Sequence, residues 1–135
     1  MEAYIDGSSI GMYGYYIPSK KKKRVVYDQP LTNNQAEWLA LVVLLLDALP
    51  GECITVYSDS QIVVNQLLGE WDTKNETLVA YRKISYILIH TKDLKVGINW
   101  IPREENKFGH HLEKLLKEKK ARRKIIKKKI KRGFI

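Results

Sequence analysis

Tyr4-Ile5-Asp6-Gly7-Ser8-Ser9 reads as an apolar strand that ends by delivering a carboxylate, Asp6, into a turn of small residues. Two other segments place acids in a comparable way. Asn33-Asn34-Gln35-Ala36-Glu37 opens a long apolar helix, and Val56-Tyr57-Ser58-Asp59-Ser60 closes a second strand. The expectation built on these three stretches is that Asp6, Glu37 and Asp59 meet in space and hold divalent cations against a phosphodiester.

Working outward, Gly11 to Ile17 reads as the aromatic-rich antiparallel neighbour of the first strand. Pro18 and the run Ser19 to Lys23 make a polar turn, and Arg24 to Tyr27 returns as a third strand. Four consecutive lysines at that tip suit a solvated turn that discourages edge pairing. Thr32 or Asn33 can cap a helix through Ala36, Leu39, Ala40, Val43 and Leu44, ended by Pro50-Gly51. Ile54 to Tyr57 is a short β-branched interior strand, and Gln61 to Leu68 a helix that Gly69 stops. Leu78, Tyr81, Ile84, Ile87 and Leu88 recur at helical spacing, Lys95 to Trp100 forms the last strand, and a final helix passes through Leu112, Leu115 and Leu116. A meander followed by strand–helix units predicts an α/β fold: a five-stranded mixed sheet flanked by helices.

At 135 residues the chain fits one domain. Its most apolar run, Trp38 to Leu46, is too short to span a bilayer, so no membrane association is expected. No leader pattern stands at the N-terminus, and Cys53 is alone in a strand-like run. Together these predict a cytoplasmic protein with a buried, reduced thiol. The net charge of +9 is uneven. Residues 117–135 hold 11 of the 24 Lys and Arg against one acid, Glu118, and carry +10; residues 1–116 carry −1. The chain therefore divides into a near-neutral body, 1–116, and a basic segment, 117–135, read as a tail or as an extension of the last helix, since Ile125, Ile126 and Ile130 fall at helical spacing. Such a tail attracts polyanions by releasing condensed counterions, and nucleic acid is the foremost target.

Hydrolysing a phosphodiester requires charge stabilisation at both the attacking and the leaving oxygen. Two magnesium ions about 4 Å apart supply it. Hard cations take oxygen ligands, chiefly carboxylates. Asp6 and Asp59 stand near the C-terminal ends of strands, where open α/β sheets place ligands. Taken singly, each acid suits a surface or capping role, and Asp59 reads equally well as a helix cap. Three together, each in its own small polar motif, point to a metal site.

The segments Ile5-Asp6-Gly7-Ser8-Ser9, Thr32-Asn33-Asn34-Gln35-Ala36-Glu37, Tyr57-Ser58-Asp59-Ser60-Gln61 and Trp100-Ile101-Pro102-Arg103-Glu104-Glu105-Asn106 resemble, in that order, type 1 ribonuclease H. The resemblance covers residues 1–116 and is to the short, archaeal-like branch that lacks a basic handle. It implies an endonuclease that uses two divalent ions, Mg2+ or Mn2+, to cleave the RNA strand of RNA–DNA hybrids, leaving 5′-phosphate and 3′-hydroxyl ends. It also implies that Asp6, Glu37 and Asp59 bind the metals. Ser9, Asn33 and Gln61 match positions that contact the RNA strand, and Thr32 and Asn34 match positions that cradle a DNA phosphate. Arg103 is the nearest cation to the loop that carries a histidine in some members. A monomer is expected.

The fourth catalytic position departs from the family pattern, which has an aspartate four residues after the asparagine matching Asn106. Here His110 stands in that register. Neutral imidazole binds manganese better than magnesium, so a manganese preference is expected, together with recovery of magnesium activity in His110→Asp. His111 lies about 100° further around the helix and should point elsewhere. The alternatives are a catalytically weak or silent hybrid-binding module, and a ribonuclease H domain derived from a reverse transcriptase.

Overall fold

The computed structural model of the chain describes residues 1–131 and Gly133. Its elements are β1 (Glu2–Ser8), β2 (Met12–Ile17), β3 (Lys22–Tyr27), α1 (Asn33–Asp47), β4 (Cys53–Ser58), α2 (Gln61–Leu67), α3 (Glu76–Thr91), β5 (Lys95–Trp100) and α4 (Lys107–Lys131). The strands form one mixed sheet in the order β3-β2-β1-β4-β5. The first three strands are antiparallel neighbours, while β1 pairs with β4, and β4 with β5, in parallel.

Strand periodicity decides which helix each side of the sheet meets. Ala3 and Ile5 of β1 and Ile54 and Val56 of β4 are buried in the main core with α1. Alternation turns Tyr4 and Asp6 to the opposite face. There α4 crosses β1 and β2, and its Phe108 and Leu112 pack on Met12 in a second cluster. α1 is buried on nearly all sides, from Ala36 and Trp38 to Leu45, because the sheet covers one flank and α3 another. Its start is fixed by a capping box: the Thr32 hydroxyl accepts from the Gln35 N–H, and the Gln35 side chain accepts from the Thr32 N–H.

Three details differ from the sequence reading. Cys53 is exposed rather than buried. It opens β4 with the parity opposite to Ile54 and Val56, so it falls on the sheet face that α4 leaves uncovered. On α3, Ile84 and Ile87 point outward, and the buried position is taken by Ser85, whose hydroxyl donates to the Tyr81 carbonyl at 2.8 Å. The lysine run divides: Lys21 makes the turn with φ +48°, whereas Lys22 and Lys23 belong to β3. Lys23 lies over the Tyr16 ring at 5.0 Å. In keeping with the helical spacing of Ile125, Ile126 and Ile130, α4 runs without a break into the basic tail as far as Lys131, and all three isoleucines are exposed. The remaining tail residues Arg132, Phe134 and Ile135 lie outside the described residues. No helix among the described residues is long and apolar enough to cross a membrane.

Candidate active site

Each of the three acids is delivered by a local device. Asp6 sits near the end of central strand β1, followed by Gly7. A Cβ built at Gly7 would stand 2.4 Å from the carbonyl carbon and oxygen of Ala36 and 2.7 Å from the nitrogen of Glu37. The missing side chain is what lets the first turn of α1 close on β1 and set Glu37 beside Asp6. Asp59 follows β4. The cap of α2 is its neighbour Ser60, whose hydroxyl accepts from the Val63 N–H at 3.2 Å. Asp59 is thus free of capping duty, and its carbonyl is held by the Trp100 indole N–H at 3.1 Å.

One carboxylate oxygen from each of Asp6, Glu37 and Asp59 lies within 4.8 Å of the other two, the only such group of potential metal ligands among the described residues. They line an open cleft of about 230 Å³, with Gly7, Ser8, Asn33, Arg103 and Glu113 around them and Leu112 and Leu116 as its apolar part. Burial, reinforced by the charges of Asp59 and Glu37, pushes the Asp6 carboxyl up to about 7. Burial also raises Glu37 and Asp59 above the usual carboxylate range, while the Arg103 guanidinium opposes the rise at all three. Arg103 offsets only part of the repulsion in this trio of acids. The trio's all-oxygen donor set suits a hard divalent cation.

Around this centre, Asn33 lines the cleft and its Oδ1 accepts from the Ser9 N–H at 3.2 Å, which ties the β1–β2 turn to the start of α1. Thr32 and Asn34 flank Asn33, Thr32 being exposed and Asn34 half-buried. Gln61 is exposed at the first position of α2. Arg103 is exposed on the 3-10 turn before α4. His110 is exposed too. It lines a neighbouring hollow with Arg103, Glu104 and Glu113 and is not among the clustered ligands. His111 turns toward the body instead, its ring 6.1 Å from that of Phe108.

The sequence reading gave no role to Asn106 or Gly109, yet both set the geometry. Asn106 is fully buried. Its amide donates to the Ile5 carbonyl at 2.9 Å, and its Oδ1 accepts from the N–H groups of Phe108 and Gly109 at 3.1 Å. It therefore caps α4 and ties it to β1 beside Asp6. A Cβ at Gly109 would stand 3.1 Å from Asp6 Oδ2, so the bare backbone lets α4 settle against the acid. The signal for Asn106 was its place just before a helix.

The profile of the family described as RNase H matches residues 1–129. The chain belongs to the RNase H family. Among solved structures, it is similar to RNase H1 from the halophilic archaeon Halobacterium salinarum, with 30% identity and a TM-score of 0.68 over 78% of this chain and 88% of that one. It is also similar to the N-terminal RNase H domain of a Mycobacterium tuberculosis protein, at 26% identity and a TM-score of 0.65 over 83% and 95%. LC11-RNase H1, isolated from compost by a metagenomic approach and solved with an RNA/DNA hybrid, shares the fold at 23% identity and a TM-score of 0.69 over 82% and 91%. This ribonuclease H has only residues 68–75 between α2 and α3, which leaves no room for a basic handle.

Proposed function

We propose that this ribonuclease H is an endonuclease that hydrolyses the RNA strand of RNA–DNA hybrids, leaving 5′-phosphate and 3′-hydroxyl ends. The observation that carries the reading is the meeting of Asp6, Glu37 and Asp59, from three separate elements, in an open cleft. LC11-RNase H1, a neighbour in fold, binds such a hybrid.

Asp6, Glu37 and Asp59 would hold two divalent ions, magnesium or manganese. When bound, the ions supply charge stabilisation at the attacking and leaving oxygens and lower the pKa of the attacking water. The protein's own residues do the rest. Among the described residues the Asn33 side-chain NH2 has no partner, which leaves it for an RNA 2′-hydroxyl, the group that separates RNA from DNA, while its Oδ1 braces Ser9. Gln61 extends the RNA-strand contact from the start of α2, and Thr32 and Asn34 face the DNA phosphate. Arg103 offsets part of the acids' repulsion and is placed to meet a phosphate oxygen. The exposed end of α4 is the arm that grips the hybrid in place of a handle, and the working unit is a monomer. A manganese preference would accompany an imidazole ligand from His110. Three carboxylates suit both metals.

A labelled hybrid titrated with magnesium and with manganese tests the reading, with Asp6→Asn as the blank and duplex DNA and double-stranded RNA as comparisons. Cleavage confined to the RNA of the hybrid is expected. Binding without cleavage in either metal would leave only a hybrid-binding module, and cleavage of duplex DNA would point to a different nuclease.

A further inference from the structure

The cleft holds one acid outside the three-carboxylate cluster. Glu113 lies on α4 three residues beyond His110 and lines the same hollow as Asp6, Glu37 and Asp59. Its charge already reaches the cluster, where it adds to the rise at Asp59. Residues three apart share one side of a helix, about 4.5 Å apart along its axis. Glutamate also reaches one methylene further than aspartate, which shortens that gap. Gly109 helps, because the bare backbone brings this part of α4 down onto Asp6.

The present partner of Glu113 is one it can give up. Arg103 Nε donates to Oε1 at 3.1 Å, and Nη2 stands 3.0 Å from the same oxygen. Among the described residues, Oε2 has no hydrogen-bond partner. The two side chains are 43% and 72% exposed, and an ion pair so open to water adds little to stability. Exchanging one guanidinium for a divalent cation therefore costs little. His110, by contrast, is not among the residues that line the cleft of Asp6, Glu37 and Asp59.

We propose that Glu113 is the fourth carboxylate of the site, leaving Arg103 to join Asp6, Glu37 and Asp59 when divalent ions bind. The proposal rests on the divalent-ion reading above, so its test separates the two. Manganese(II) alone is titrated into the full, metal-free chain, and free ion is followed by its paramagnetic resonance signal. Circular dichroism checks that each variant is folded. Glu113→Gln should weaken binding by at least about tenfold, with partial recovery in Glu113→Asp. Glu118→Gln removes the same charge from the same helix outside the cleft and should change affinity by less than about twofold. Asp6→Asn should abolish binding. If Asp6→Asn abolishes binding while Glu113→Gln behaves like Glu118→Gln, the role of Glu113 is refuted and the metal site stands. Glu113 is likewise ruled out if His110→Ala, and not Glu113→Gln, carries the loss. If Asp6→Asn leaves binding intact, the divalent-ion reading itself falls, and the role of Glu113 with it.

Discussion

Replacing Asp6 with asparagine should make the metal-free protein more stable, by an amount that grows with pH. Burial among other acids lifts the carboxyl from 3.8 to about 7. At about 1.4 kcal/mol per tenfold change in proton affinity, this corresponds to about 4 kcal/mol. The sign follows from which state binds the proton more tightly. A pKa raised on folding favours the native state fully below about 3.8, and that benefit is lost as pH rises through about 7. Asparagine has no proton to lose. The stability gap between variant and parent should therefore widen by about 4 kcal/mol between pH 4 and pH 8. Urea unfolding of both proteins in a chelator, at one-unit pH steps, measures the gap directly. Magnesium added at pH 8 should restore the parent by binding the native state alone and leave the variant unmoved. A gap constant to within about 1 kcal/mol from pH 4 to pH 8 would mean that the three carboxylates are well hydrated and free of mutual strain, and would refute the argument.

Gly7→Ala places a methyl against backbone that cannot yield, so α1 must retreat from β1. A loss of about 2–3 kcal/mol in unfolding experiments is expected, with a hybrid cleavage rate lowered about a hundredfold by the misplaced Glu37. Asn106→Ala leaves the Ile5 carbonyl and two amides at the start of α4 unpaired in a buried site. It should cost about 3 kcal/mol in the same assay, and a cost below about 1 kcal/mol would show that water replaces the amide. Deleting 117–135 should raise the Michaelis constant chiefly at higher salt and flatten its salt dependence; an unchanged salt slope would remove the tail from substrate binding. With Glu113 as the fourth acid, His110→Asp should leave the ratio of magnesium to manganese rates as in the parent. A selective gain with magnesium would return the fourth position to residue 110.

The sequence alone determined the order and type of every element, because strand alternation, helical spacing and the punctuation by Gly, Pro and polar caps are local signals. The same local character made Asp6, Glu37 and Asp59 legible, since each acid ends a strand or opens a helix. What the sequence could not settle was which face a residue presents and what stands opposite. Cys53 lies in a genuine strand, yet its burial depended on how far α4 reaches across the sheet. Ile84 and Ile87 share the helical period of α3, but only the position of α1 decides that Ser85 is covered and they are not. The start of α4 is the clearest case. Motif register put His110 at the fourth position, but the resting of Gly109 on Asp6 and the bond from Asn106 to the Ile5 carbonyl arise only when residues a hundred apart in the chain are packed together. Local pattern is written in neighbouring residues. The closeness of two backbones is a property of the packed whole.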